Sequence, residues 1–164
     1  MNKFHNFILS GLKNVIILQM IAIVLIVSLQ VFTRFVLQSS SSFTEELARF
    51  LLIWIGLFGA AYGYQMNAHL GLDIITNKLQ GNFKKVIAAI SHLFVLMFAI
   101  WVMVIGGCSL VALTLEPVQI SAAMGIKMAY VYVAIPISGL LIVYFGLLKI
   151  VQLFSSSIDV VKEV

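Results

Sequence analysis

Four stretches of this sequence carry no charged residue: 14–33, 50–68, 86–115 and 128–148. An α-helix needs about 20 apolar residues to cross a hydrocarbon core of ~30 Å. Three of the stretches have about that length. The third is longer, so its helix must tilt, project beyond the membrane, or bend at Gly106-Gly107. The rest of the chain does not rescue a soluble reading. It is 62% hydrophobic and 10% charged, whereas a soluble domain carries about a quarter charged residues. Barrel-type alternation is absent, so backbone groups inside lipid must be satisfied by helices. The expectation is an all-α integral membrane protein, one membrane domain over 1–164, with spans at about 14–34, 43–68, 86–116 and 128–148. Pro117 should stop the third helix and Pro136 should kink the fourth.

The net charge of +4 is scattered, with no basic run and interleaved aromatics, which excludes a nucleic-acid surface. A single cysteine, Cys108, excludes an internal disulfide and a Cys-rich metal site. Lys3 and Lys13 before an apolar stretch resemble a signal peptide. The uncharged run is too long for a signal h-region and no Ala-x-Ala site follows, so it reads as a retained span. Lysine and arginine sort unevenly between the two sides. Lys3, Lys13, Lys78, Lys84, Lys85, Lys149 and Lys162 share one side, against Arg34, Arg49 and Lys127 on the other. The positive-inside rule then puts both termini in the cytoplasm. Between the second and third spans, Leu72, Ile75, Leu79 and Phe83 recur at helical spacing opposite Asp73, Thr76, Asn77 and Gln80. This pattern predicts an interfacial amphipathic helix at about 70–83.

The segment TRFVLQSSSSFTEELARFLLIW, residues 33–54, concentrates charge in a chain that otherwise avoids it. Ser42-Phe43-Thr44-Glu45 fits a capping box that would start the second helix. Arg49 lies four residues after Glu45, within reach of an intrahelical pair. On a helical wheel Glu45, Arg49, Gly56, Gly59, Ala60 and Gly63 fall within about 60° of one line. Phe43, Leu47, Phe50, Leu51, Trp54 and Phe58 take the opposite face. Small residues let helices approach closely in lipid, and polar groups there face protein. The stripe therefore reads as a contact face. Gln19, Ile23, Gln30 and Arg34 share a face of the first helix, from which Arg34 could reach Glu45 or Glu46.

No site for chemistry emerges. There is no P-loop, nucleophile elbow, CxxC or HExxH motif. Every acid, namely Glu45, Glu46, Asp73, Glu116, Asp159 and Glu163, lies at a span end or outside the spans, and an ion-coupling carboxylate is expected deeper. His5 lies near a terminus and His69 at the far end of the second helix. His92 sits inside the third helix on a face with Ala99, Met103 and Gly106, where a hydrogen-bonded packing role outweighs haem ligation. Tyr130, Tyr132 and Trp54 suit an interfacial aromatic belt. The residues favour an accessory membrane subunit that is not an enzyme. The rival readings are a haem- or quinone-binding membrane anchor and a self-sufficient small homo-oligomeric carrier.

The block QVFTRFVLQSSSSFTEELARFLLIWIGLFGAAYGYQMNAHLGLDII resembles the small membrane subunit, DctQ type, of tripartite ATP-independent periplasmic (TRAP) transporters. It has an arginine closing the first helix, Glu-Glu-Leu-x-Arg, a tryptophan, a glycine-rich helix, then a histidine and a short amphipathic segment. GIKMAYVYVAIPISGLL resembles the family's lead into its fourth helix, although Lys127 stands where proline or an apolar residue is common. The resemblance implies a large multi-span partner driven by sodium ions, which that partner would bind, and a periplasmic solute-binding protein delivering an organic anion. No cofactor is implied for this chain. It looks closest to the sialic-acid (N-acetylneuraminate) members, in the inner membrane. Arg34, Glu45, Glu46, Arg49, His69 and Asp73 match the family's motif positions. With Gly56, Gly59 and Gly63 they make up the expected subunit interface, and none is expected to bind substrate.

Overall fold

The computed structural model describes residues 3–38, 41–66 and 82–161, with side chains described from 86 to 152 in the last segment. Among these residues every named element is helical: α1 (Lys3–Phe35), α2 (Ser42–Gln65), α3 (Asn82–Phe98), a π-helical segment (Ala99–Gly106), α4 (Gly107–Leu115), α5 (Met128–Tyr132) and α6 (Ala134–Val161). Four helical runs are long and apolar enough to cross a membrane: Lys3–Phe35, Ser42–Gln65, Val86–Leu115 and Met128–Gln152. The chain is thus an all-α membrane protein. The expected interfacial helix at 70–83, with His69 and Asp73, falls essentially outside the described residues.

Helix ends follow local chemistry, with two departures. α2 begins at Ser42, but the capping box does not form. Ser41 is the N-cap and its side chain makes no capping bond. The Thr44 hydroxyl donates to the Ser41 carbonyl at 2.9 Å, and Glu45 accepts from Arg49 at 3.3 Å. The i,i+4 partner holds the carboxylate that the box would have used. The other departure is His5. It lies in the first turn of α1 and is 8% exposed, packed against the rings of Tyr144 and Phe145 at 6.2 and 5.9 Å, so this end of the chain is anchored.

Pro117 stands just beyond the end of α4 at Leu115, after an extended Glu116 and a cis peptide bond. Near Pro136, where a kink is expected, the fourth span is interrupted for one residue. Lacking an N–H, the proline cannot bond the carbonyl of Tyr132, and the interruption falls at Val133, between α5 and α6. In the third span the interruption is the π segment rather than a bend at the glycine pair. Its wider turns move the buried face by about one residue, so Gly107 faces inward and Gly106 is exposed.

The spans form a row, not a closed bundle. α1 packs on α2, α2 on α6, and α6 on α3 and the π segment, while α5 packs on α4. Among the described residues the backbone of α1 does not approach the third span, and α2 and α3 each pack on α6. α6 is the spine, with Ser138 and Phe145 fully buried. Association in lipid relies on close van der Waals contact, and two glycines provide it. A Cβ on Gly139 would lie 2.8 Å from Met103 Cβ, and one on Gly107 would lie 2.9 Å from Pro136 Cδ. The core of Leu12, Phe58, Ala61, Tyr64, Ala99, Met103, Ile142 and Phe145 runs along this spine.

Candidate docking face and its polar ties

The bulky face of α2 serves the chain itself. Phe50 and Phe58 are buried, and Trp54 packs edge-on against Phe58 at 5.2 Å. Leu47, Phe50 and Trp54 also line an open apolar groove of about 240 Å³ together with Gln19, Met124 and Tyr130. The small-residue face is left open. A Cβ on Gly56, Gly59 or Gly63 would meet nothing within 4 Å. Gly56 and Ala60 are exposed, and Gly59 and Gly63 half-buried. The stripe therefore has no packing partner among the described residues. Leu52, 62% exposed, falls on the same line at 100° per residue and makes the face a knob among gaps rather than a smooth strip.

The charges at the hairpin end of α2 divide into two roles. Glu45 and Arg49 pair along the open stripe with exposed side chains, and such an i,i+4 pair contributes only about 0.3–0.5 kcal/mol. Glu46 points elsewhere. Its Oε2 accepts the backbone N–H groups of Ala123 and Met124, both at 2.9 Å. The segment joining α4 to α5 is folded to present them. Ile120 and Lys127 form an antiparallel bridge, Ser121 N–H donates to Ile126 O at 2.8 Å, and Gly125 takes a φ of 68° at the turn. Successive N–H groups in such a turn make an anion-binding nest, here filled by a side chain of the same protein. Arg34 makes no ion pair with Glu45 or Glu46 and stays exposed.

At the opposite end, where the chain begins, a polar cluster joins all four spans. His5 Nε2 and Gln65 Nε2 lie 3.3 Å apart. The Tyr64 hydroxyl and His92 Nδ1 share a 3.0 Å hydrogen bond. Lys149 donates to the Tyr64 carbonyl near the end of α2, with its ammonium 4.6 Å from the Tyr64 ring centre. The His92 packing role expected from sequence is met by Tyr64. The parts played by Tyr64, Gln65 and Lys149 had no warning in the spacing, except that a lysine just beyond an apolar run and a Tyr-Gln pair at a helix end are both suited to bonding carbonyls and partners at a helix end.

Among the described residues no group of three metal-ligating side chains occurs. An open small-residue face, a clamped loop and a polar end cluster describe a multi-pass membrane subunit with an unpartnered side. The comparisons give that class a family. The model for "Tripartite ATP-independent periplasmic transporters, DctQ component" matches residues 23–156, and the chain belongs to the DctQ family of small TRAP transporter permease subunits. A TRAP transporter small permease protein of Haemophilus influenzae is 30% identical, over 80% of this chain and 82% of its own length. The sialic acid TRAP transporter small permease protein SiaQ of Vibrio cholerae is 24% identical over 95% and 92%. A C4-dicarboxylate TRAP transporter small permease protein, DctQ of Rhodobacter capsulatus, is 43% identical, but over only 21% of this chain and 15% of its own.

Proposed function

We propose that this subunit is the static scaffold of a sodium-driven TRAP transporter in the inner membrane. It would dock a large multi-span permease subunit along the stripe running from Glu45 and Arg49 through Gly56, Gly59 and Gly63. The carrying observation is the open stripe itself, where three glycines have no neighbour within 4 Å of a Cβ among the described residues. Arg34, exposed and without an ion pair to Glu45 or Glu46, supports a charged rim to the same contact. Sodium would be bound by the large subunit, and a periplasmic solute-binding protein would deliver the substrate. We place both termini in the cytoplasm, on the lysine-rich side, and His69 and Asp73 at the cytoplasmic end of the interface. Similarity to the Vibrio cholerae relative over 95% of the chain supports sialic acid (N-acetylneuraminate) as the cargo.

The test of docking is copurification of the large subunit with Gly56→Leu and Gly63→Leu. Overpacking costs about 1–3 kcal/mol, so recovery should fall about tenfold. Unchanged assembly and transport in both variants overturns the interface. The cargo is tested separately, by sodium-gradient uptake of N-acetylneuraminate in cells carrying all three components. Sodium-dependent uptake of a different anion would correct the substrate and leave the subunit's role standing.

A further inference from the structure

α2 and α3 both pack on α6, and one hydrogen bond joins them directly. The Tyr64 hydroxyl meets His92 Nδ1 at 3.0 Å, with the two rings edge-on at 5.8 Å. The crossing passes over Gly146 of α6. A Cβ there would stand 3.2 Å from the Tyr64 hydroxyl and 2.8 Å from Leu96 Cδ2. The spine has no side chain at the place where the bond passes. Tyr64 is only 2% exposed, so its hydroxyl depends on partners within the fold.

The third span is fastened unevenly on either side of this crossing. In the described part of the arm 86–98 only Leu96 is buried. Immediately beyond, the π segment buries Ala99 and Met103, and Met103 lies against Gly139 so closely that a Cβ on that glycine would come within 2.8 Å. Gly107 and Thr114 bury the next turns of α4. Helices bend sharply where a π turn interrupts the i→i−4 ladder. The firmly held part of the span thus begins at the place where the helix can bend.

We propose that the Tyr64–His92 bond is a latch and the π segment Ala99–Gly106 its pivot. When the latch opens, the α3 arm swings away from α6 while the π segment and α4 stay packed on the spine. This gives an otherwise rigid row one moving element, at the end where the chain begins. The device is independent of the docking reading.

The test is a pair of spin-label distance distributions on the full chain in lipid nanodiscs, in a Cys108→Ser background. Met66→Cys and Ile90→Cys, both at exposed positions, report the arm. Phe43→Cys and Leu113→Cys, also exposed, report the other end. Tyr64→Phe should raise the ratio of separated to latched arm about fivefold, the equivalent of one hydrogen bond of about 1 kcal/mol. His92→Leu should do the same, and the double variant should go no further than either single one. The Phe43–Leu113 distribution should stay as in the unsubstituted protein. An arm distribution unchanged by both substitutions overturns the latch, and broadening of both label pairs together overturns the pivot.

Discussion

Two adjacent glutamates at the start of α2 look equivalent in sequence and do different work. Glu45 lies along the open stripe beside Arg49, 3.3 Å away. Glu46, 100° further round the helix, turns to the other side and closes the 121–124 turn through two backbone N–H groups. The helical wheel could find the first role because an i,i+4 partner is a local matter. It could not find the second, because the donors lie 77 and 78 residues away in a loop whose shape no periodicity encodes. Glu46→Ala should therefore release that turn. Amide hydrogen exchange at Ala123 and Met124 should accelerate severalfold, while α2 keeps its protection and Glu45→Ala leaves both amides as they were. Equal exchange in the two variants would mean that the turn holds itself through Ser121 and Ile126.

At the scale of the helix, glycine carries opposite meanings in α2 and α6. The stripe Gly56, Gly59, Gly63 looked from sequence like a packing face, while Gly139 and Gly146 stood in an apolar run that gave no reason to single them out. In the fold a Cβ on Gly139 or Gly146 would meet a neighbour at 2.8 Å, whereas one on the α2 glycines would meet none among the described residues. Charge-free runs marked the spans because lipid excludes charge from any helix, whatever its neighbours. Helix-to-helix contact is set by which faces meet, and the row order depends on tertiary packing that a single helical wheel does not contain. The π segment was hidden for the same reason: its sequence AIWVMVIG is uniformly apolar and has no proline to signal a break. The contrast can be measured by thermal unfolding in detergent. Gly139→Ala must push Met103 aside and should destabilise the chain by about 1–3 kcal/mol. Gly56→Ala has open space and should gain a few tenths to about 1 kcal/mol from better helix propensity. Comparable melting temperatures for the two would contradict the assigned packing.

Across the whole molecule, a row of spans with a central spine has a consequence that a closed bundle lacks. A bundle of four hides one face of each helix, whereas here α2 packs against α1 and α6 and, among the described residues, leaves its small-residue side without a neighbour. α1, at the end of the row, buries only His5 and Leu12. Such a shape adds breadth to a membrane assembly more than it adds an interior. The open face also has a relief that sequence reasoning passed over: Leu52, 62% exposed, projects between the Arg49 and Gly56 positions and would enter a hollow on the facing helix. A photoreactive benzophenone side chain at Leu52 should capture the large permease subunit when the two are coexpressed. The same probe at Leu93, on the far flank of the row and 54% exposed, should give much less of that product. Equal capture from both positions would mean that the partner surrounds the row. Capture from Leu93 alone would move docking from the α2 stripe to the third span, even with membership of the DctQ family unchanged.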